Sequence, residues 1–188
     1  MNKKKLVVII NGKGGVGKDS CILSLAKNTN LNIVNVSSIE PVKKLAIELG
    51  WWDGKNKDDR SRTMLSYLKQ AMIYGDNSID KYIFKEVSQF LISSNDILFI
   101  HIRESEEIKK IIDKLQNVKD MLNVSTLLIT REDIENKSFG NSSDDNVECD
   151  FVYDHIFENK LNTGLEEFPN WFKNVVLNCE SEVNLHAE

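Results

Sequence analysis

The chain has 188 residues, of which 41% are hydrophobic and 28% are charged, and 24 Lys and Arg against 29 Asp and Glu give it a formal net charge of -5. This composition predicts a globular protein of one domain and excludes collagen-like, coiled-coil and wholly disordered chains. An acidic chain without a long basic run is also unsuited to nucleic-acid binding, which needs a basic face to neutralise phosphates.

Cysteine content and hydropathy indicate the compartment. The three cysteines follow no C-x-x-C or metal-ligand spacing, so neither a disulfide framework nor a zinc site is predicted. The apolar run at residues 6–10 is shorter than the roughly 7 to 15 residues of a signal-peptide core. No stretch approaches the roughly 18 apolar residues of a membrane span. We therefore expect a cytoplasmic protein without a membrane-spanning segment.

Short β-branched runs alternate with segments of helical periodicity along the chain. Strands are predicted at residues 6–10, 33–36, 97–102, 124–129 and 151–157. Helices are predicted at residues 18–27, 41–49, 62–73, 79–92, 106–115 and 165–176. Because parallel strands need crossover connections, this alternation predicts a three-layer α/β fold, a five-stranded parallel sheet with helices on both faces.

Two polar segments interrupt the alternation. Residues 50–59 join two helices as a loop, and residues 131–150 lack an apolar period. Connections as long as the second are typical of lids, binding loops or disordered inserts. The single domain is predicted to span residues 1–179, and residues 180–188 are predicted to form a flexible tail.

The first predicted strand is followed by a glycine-rich loop that opens the first helix. The loop matches G-x-x-x-x-G-K, and its residues are Gly12, Lys13, Gly14, Gly15, Val16, Gly17 and Lys18. In such a loop the backbone N–H groups converge on phosphate oxygens, the helix N-terminus adds positive potential, and the lysine reaches the β- and γ-phosphates. The sequence therefore predicts a P-loop NTPase fold that binds ATP.

The residue after the lysine departs from the usual pattern. It is Asp19, where a Ser or Thr hydroxyl normally ligates Mg²⁺, and Ser20 follows it. We expect the carboxylate of Asp19, directly or through water, or else the hydroxyl of Ser20, to hold Mg²⁺. The acidic residue that usually ends the third strand and helps to organise Mg²⁺ is also missing. Asp96 stands at the start of that strand, and His101 stands at its carboxyl end. Glu104 or Asp19 is the candidate to orient the waters of the ion.

Residues 13–18 resemble the deviant Walker A loop of the ParA and MinD partition ATPases. That resemblance implies a switch ATPase that dimerises and binds a partner. The family also expects aspartate-containing switch segments after the second and third strands. The corresponding residues, 37–41 and 101–104, contain no aspartate.

The order of motifs along nearly the whole chain is similar to that of another P-loop family. Residues 37–43 contain Ser-Ser and Pro-Val-Lys, residues 50–54 read Gly-Trp-Trp-Asp-Gly, and residues 99–108 contain His-Ile-Arg-Glu and then Glu-Glu-Ile. With the Gly-Lys-Asp of the loop, these segments resemble the nucleoside monophosphate kinase group. They are closer still to phage-type deoxynucleoside monophosphate kinases, animal-type phosphomevalonate kinase and an adenylate kinase-like set from Firmicutes. The resemblance implies transfer of phosphate from ATP to a small molecule that already carries a phosphate, above all a nucleoside or deoxynucleoside monophosphate. Residues 38–95 would then form an acceptor-side helical segment and residues 131–150 the lid.

Such a kinase needs cations that hold two mutually repelling phosphates in line, and planar guanidinium grips phosphate bidentately. By this chemistry and the resemblance, Arg103 is predicted to hold the acceptor phosphate. Arg62, with Arg60 as the weaker candidate, is predicted to reach that phosphate from the other side. Arg131 opens the lid and is predicted to contact the base or the transferring phosphoryl group. The three main arginines and Lys18 form the predicted catalytic set.

The resemblance implies further binding residues. Ser37 and Lys43 are predicted at the acceptor site, and Asn159 is predicted to line the adenine pocket. The expected partners are ATP, Mg²⁺ and a monophosphate substrate, without nucleic acid or membrane, while the identity of the acceptor and the oligomeric state stay open. A protein that binds nucleotide without turnover is the remaining alternative, because Asp19 and His101 stand where other residues are usual.

Overall fold

The structure is a computed structural model that describes residues 4–56, 58–135 and 151–178. The chain divides into two units, the first comprising residues up to Asn35 and from Ser94 onward, and the second comprising Val36–Ser93. The second unit nearly coincides with residues 38–95, the predicted acceptor-side segment.

Five strands form one sheet. They are β1 (Lys5–Asn11), β2 (Ile33–Ser37), β3 (Ile97–His101), β4 (Leu122–Thr130) and β5 (His155–Glu158). The order across the sheet is β2-β3-β1-β4-β5, so that β1 lies between β3 and β4. The register places Ile10 of β1 beside His101 of β3 and Leu127 of β4, all running parallel. The predicted five-stranded parallel sheet is confirmed.

The fifth strand is shorter than predicted. Strand pairing between β4 and β5 begins only at Leu127 and His155. Just before it, a carboxylate oxygen of Asp154 accepts hydrogen bonds from the backbone N–H and the hydroxyl of Thr126, both at 2.8 Å. Because these side-chain bonds occupy the groups that a strand ladder would use, residues 151–154 do not belong to the strand, and the prediction for them was wrong.

Seven α-helices lie within the described residues. They are α1 (Lys18–Lys27), α2 (Glu40–Glu48), α3 (Asp59–Asp76), α4 (Ser78–Ile92), α5 (Ser105–Leu115), α6 (Glu132–Glu135) and α7 (Gly164–Trp171). A 3₁₀ turn, Gln116–Val118, follows α5, and a π-helical turn, Phe172–Leu177, continues α7. The predicted helix at residues 165–176 is therefore present, but it is α-helical only in its first half.

Helices cover both faces of the sheet. From β1 the chain passes through α1 to β2 in one direction along the sheet, and from β3 it passes through α5 to β4 in the other direction. Because crossovers between parallel strands are right-handed in nearly all proteins, α1 and α5 lie on opposite faces. The C-terminal helix α7 packs against α1.

The core forms around β1. Residues 7–10 of this strand are fully buried, as the continuous β-branched run predicts for a central parallel strand. On the α1 side, Val8 and Ile10 pack in one cluster with Leu25, Phe168 and Phe172. This cluster fixes the carboxyl end of β1, where the glycine-rich loop begins.

Cys21 of α1 is a buried free thiol, as its spacing predicts. Burial raises its pKa to about 12, so it stays protonated and unreactive. The other two cysteines lie outside the described residues.

The second unit consists mainly of α2, α3 and α4. The helix α3 begins three residues before its predicted start at residue 62, because Asp58 caps it. The carboxylate of Asp58 accepts a hydrogen bond from the backbone N–H of Ser61 at 2.7 Å, and this bond lowers its pKa. The helix ends at Asn77, whose φ of 59° breaks the helical path before α4 begins.

Acidification is expected to destabilise the protein through His155, the first residue of β5. Burial lowers the pKa of this imidazole below its usual 6.5, against the opposing effect of Asp154. The native state therefore binds fewer protons than the unfolded state just below pH 6.5, so the free energy of unfolding falls as the pH falls through that value. Urea unfolding between about pH 7.5 and 5 measures the slope, and His155→Gln should flatten it. An unchanged slope in that variant would contradict the assignment.

The predicted lid is described only at its start. Glu132–Glu135 forms the short helix α6, so the segment does not open as an irregular loop. Residues 136–150 and the predicted tail at 180–188 lie outside the described residues. Across the described ranges, no helix has the length and hydropathy that a bilayer crossing requires.

Candidate functional site

The glycine-rich loop connects the carboxyl end of β1 to the first turn of α1. The strand ends at Asn11 and the helix begins at Lys18, so residues 12–17 form the loop. The connection after β1 leads to β2, which lies on one side of β1 in the sheet. The connections after β3 and β4 lead to β4 and β5, which lie on the other side of β1. In open α/β sheets such a switch point, at the carboxyl ends of the strands, is where ligands bind.

Two glycines bring the loop close to the neighbouring strands. The φ angles of Gly12 and Gly17 are 142° and 93°, which side-chain-bearing residues rarely adopt. A Cβ on Gly12 would run into the backbone carbonyl oxygen of Ile129 in β4. A Cβ on Gly17 would lie 2.5 Å from Nδ2 of Asn159, which follows β5. The loop can take this path only with glycine at both positions.

Gly12→Ala is expected to lower the free energy of unfolding by about 3 kcal/mol or more. The added methyl group would meet backbone of β4, which cannot yield without loss of strand pairing. Gly50→Ala is the matched control, because its φ of 68° is also positive but nothing lies within 4 Å of the added Cβ. We expect a loss of about 1 kcal/mol there. Equal losses in urea unfolding would contradict the tight packing of the loop.

The ammonium group of Lys18 bonds to the backbone of the glycine-rich loop. Its Nζ donates hydrogen bonds to the carbonyl oxygens of Gly12 at 2.5 Å and Lys13 at 3.0 Å. The charge is thereby held beside the loop backbone, at the positively polarised N-terminus of α1. The predicted approach of Lys18 to the β- and γ-phosphates stays a prediction.

Asn159 supports the end of the loop. Its side chain is 4% exposed, and Nδ2 donates to the carbonyl oxygen of Val16 at 2.7 Å. Its own backbone N–H donates to the carbonyl oxygen of Thr130, the last residue of β4, at 2.9 Å. Asn159 thus fixes the loop against the ends of β4 and β5, and its predicted contact with adenine stays a prediction.

Asp19 takes part in a small polar cluster with Asn35 in the middle of β2 and His101 at the end of β3. Its Oδ1 accepts a hydrogen bond from Nδ2 of Asn35 at 3.1 Å and lies 3.5 Å from Nε2 of His101. The same Nε2 lies 2.8 Å from Oδ1 of Asn35. Asn35 was not anticipated, although asparagine in an apolar strand run is a recognisable signal. Ser20 is exposed on the next position of α1.

The donor set limits how Mg²⁺ would be held. Among the described residues no group of three His, Cys, Asp or Glu side chains could hold a metal ion. The carboxylate of Asp19 is well exposed, and it is the acidic group nearest in sequence to the loop. Such a set fits Mg²⁺, because this ion commonly keeps several waters and binds one or two carboxylates together with substrate phosphates.

Arg103 and Arg131 follow the two strands that flank β1. Arg103 stands two residues beyond β3, and Arg131 comes directly after β4. Both residues therefore follow the carboxyl ends of strands, as the glycine-rich loop does, and they lie on opposite sides of that loop. The guanidinium of Arg131 makes a bidentate pair with Asp133, with Nε and Nη2 at 2.6 and 3.2 Å from the two carboxylate oxygens. Asp133 was not anticipated as a partner.

Asn11, at the end of β1, is the functional candidate that sequence reasoning missed most clearly. It is 1% exposed and bonds both to the loop and to the segment after β3. The only sequence signal is an asparagine between an apolar run and Gly12, which reads equally well as the start of a turn.

The remaining predicted residues belong to the second unit. Ser37 ends β2, Lys43 lies in α2 with its Nζ 3.7 Å from Glu40, and Arg62 lies in the first turn of α3. Their approach to the acceptor phosphate stays a prediction. Arg60 lies on an open groove of about 710 Å³ within this unit, together with Trp51, Asp59, Thr63, Met64, Tyr67, Leu68 and Ala71.

Comparison with known proteins finds similarity at the level of structure. No protein-family model and no curated protein matches the sequence. A proposed kinase from Chloroflexus aurantiacus J-10-fl superposes with a TM-score of 0.53 at 10% identity, covering 95% of this chain and 99% of that one. The chain shares the fold of that protein. TT1252 from Thermus thermophilus gives a TM-score of 0.49 at 16% identity, covering 94% of this chain and 98% of that one.

At this identity the similarity shows the fold alone, so any activity must be argued from the site itself. The site combines a glycine-rich loop, a lysine bonded to the backbone of that loop and two arginines that follow the flanking strands. It offers positive charge at one edge of the sheet of an otherwise acidic chain.

Proposed function

We propose that this protein is an ATP-dependent phosphotransferase whose acceptor is a small molecule that already carries a phosphate, in particular a nucleoside or deoxynucleoside monophosphate. One observation carries the proposal. The loop with Lys18 follows the central strand β1, and Arg103 and Arg131 follow the two strands beside it. Residues with cationic side chains therefore follow the strands on both sides of the glycine-rich loop.

The chemistry of phosphate-to-phosphate transfer suits such a set. The oxygen of an acceptor phosphate is already ionised, so the reaction needs no strong general base. It needs positive charge that brings two anionic groups together and stabilises the charge on the transferring phosphoryl group. The loop amides and Lys18 would hold the ATP phosphates, and Arg103 would hold the acceptor phosphate.

Arg131 would act on the phosphoryl group in transit. Its pair with Asp133 holds the guanidinium in a defined orientation before any substrate binds. A bound Mg²⁺, held through Asp19 or Ser20, would neutralise charge on the ATP phosphates. The cluster of Asn35 and His101 would keep the Asp19 carboxylate in place for that purpose.

The structural similarity to a proposed kinase supports the coarse assignment as a phosphotransferase. No observation favours the partition-ATPase alternative. That alternative expects an aspartate after β3, where this chain has Ile102, Arg103 and Glu104.

ADP release in a coupled assay tests the proposal. ATP is supplied with each of the common ribonucleoside and deoxyribonucleoside monophosphates and with phosphomevalonate. We expect one class of acceptor to stimulate ADP formation by at least about a hundredfold over ATP alone. Slow hydrolysis that no acceptor stimulates would sink the proposal and favour a switch ATPase. Absence of any turnover would favour a binding protein.

A further inference from the structure

The side chain of Asn11 bonds to three segments: the glycine-rich loop, the residues that follow β3 and the residues that precede β5. Its Oδ1 accepts a hydrogen bond from the backbone N–H of Gly12 at 2.8 Å. Its Nδ2 donates to the backbone carbonyl oxygen of Arg103 at 2.9 Å and to the hydroxyl of Tyr153 at 2.7 Å. Both N–H groups and the oxygen of this amide are thus engaged, as a side chain that is 1% exposed requires.

These bonds extend the link between β1 and β3 beyond the end of the sheet. The register between the two strands ends at Ile10 and His101. The N–H of Ile102 then donates to the carbonyl oxygen of Ile10 at 3.3 Å, and the next link is made by the Asn11 side chain at Arg103. The backbone that carries Arg103 is therefore tied to the residue from which the phosphate loop starts.

The Arg103 carbonyl and the Gly12 N–H determine which way the amide faces, because the first can only accept and the second can only donate. The hydroxyl of Tyr153, which can do either, takes the remaining N–H of Nδ2. A reversed amide would set its oxygen against the Arg103 carbonyl, acceptor against acceptor, so the observed orientation is the one that satisfies every group.

We propose that Asn11 is a positioning residue that fixes the backbone of Arg103 relative to the phosphate loop and thereby sets the separation of the donor and acceptor phosphates. This inference rests on the proposed function, in which Arg103 holds the acceptor phosphate. An error of about 1 Å in such a separation can cost on the order of a hundredfold in rate. A side chain that touches neither substrate can therefore have a large effect on their reaction.

Steady-state kinetics of Asn11→Ala test the proposal with the best acceptor from the ADP-release assay. We expect the acceptor KM to rise on the order of tenfold and kcat to fall. Thr126→Ala is the matched control, because Thr126 is 2% exposed, lies in the adjacent strand β4 and bonds to Asp154. It should lower stability without a change in the acceptor KM. An equal rise of KM in both variants would overturn the inference.

A double-mutant cycle separates positioning from a general structural role. If Asn11 acts through Arg103, its replacement should change the acceptor KM by less than about twofold once Arg103→Ala is present. Full additivity of the two effects would overturn the positioning role while leaving the proposed function intact. Asn11→Ser, whose shorter side chain cannot bridge the loops, serves where Asn11→Ala does not fold.

Backbone hydrogen exchange gives a readout that needs no substrate. In Asn11→Ala or Asn11→Ser, amides of residues 102–105 and of residues 12–17 should exchange on the order of tenfold faster than in the unaltered protein. In Thr126→Ala both segments should exchange as in the unaltered protein. Unchanged exchange at residues 102–105 in the Asn11 variants would overturn the inference, whatever acceptor the enzyme uses. A failure of the proposed function would instead appear as an Arg103→Ala variant with an unaltered acceptor KM.

Discussion

Lys18→Ala is expected to lower acceptor-dependent ADP formation on the order of a thousandfold. The ammonium group is bonded to the carbonyl oxygens of Gly12 and Lys13 in the glycine-rich loop, which is proposed to bind the ATP phosphates. In the transition state it would meet charge that develops on the transferring phosphate, and water cannot replace a fixed cation there. The measurement is kcat at saturating ATP and acceptor.

Circular dichroism shows whether the fold survives this change. Lys27→Ala is the matched control, because Lys27 lies in the last turn of the same helix and is exposed. It should keep kcat within about twofold. A Lys18→Ala protein with the circular dichroism and activity of the unaltered chain would contradict the assignment of the loop.

Arg103→Ala is expected to raise the acceptor KM by about tenfold or more, to lower kcat and to leave the KM for ATP nearly unchanged. The reason is that Arg103 follows β3, the strand on one side of β1, and its guanidinium would hold only the acceptor phosphate. Arg103→Lys should give an intermediate effect, because it keeps the charge but loses the bidentate geometry. The ratio of the two KM values is the quantity to measure.

The control for this variant lies on the helix that follows. Lys109 of α5 is an exposed cation that pairs with Glu106 at 2.8 Å. Its replacement by alanine should leave both KM values unchanged, as expected for a surface ion pair. If Arg103→Ala raised the two KM values equally, Arg103 would act on ATP or on stability rather than on the acceptor.

The sequence pattern predicted β1, the bounds of α1 and the loop between them, because each depends on residues that are close together in the chain. The β-branched run at residues 6–10 can be buried on both faces only in the middle of a parallel sheet, and β1 lies there. The bounds of α1 follow from a glycine turn at one end and the polar residues after Lys27 at the other. The bounds of the loop between them were predicted residue by residue, because its motif depends on adjacent positions.

Contacts between distant residues could not be predicted in this way. The bond from Asp154 to Thr126 shortens β5, and those from Asn11 to Arg103 and to Tyr153 tie the site together. Each joins residues that are far apart in the chain, and an asparagine or aspartate in a turn has the same local pattern whether or not it finds such a partner. The capped start of α3 at Asp58 is different, since an aspartate directly before a helical segment is a local signal for the N-cap.

The central claim is that phosphate passes from ATP to a second phosphate at this loop. Incubation with ATP labelled in the γ-phosphate, followed by separation of the products, tests it most directly. For the acceptor that stimulates ADP release, the label is expected in a new pyrophosphate bond on that acceptor, one label for each ATP consumed, and Lys18→Ala should abolish it. Label recovered entirely as inorganic phosphate, at a rate that no acceptor changes, would contradict the account.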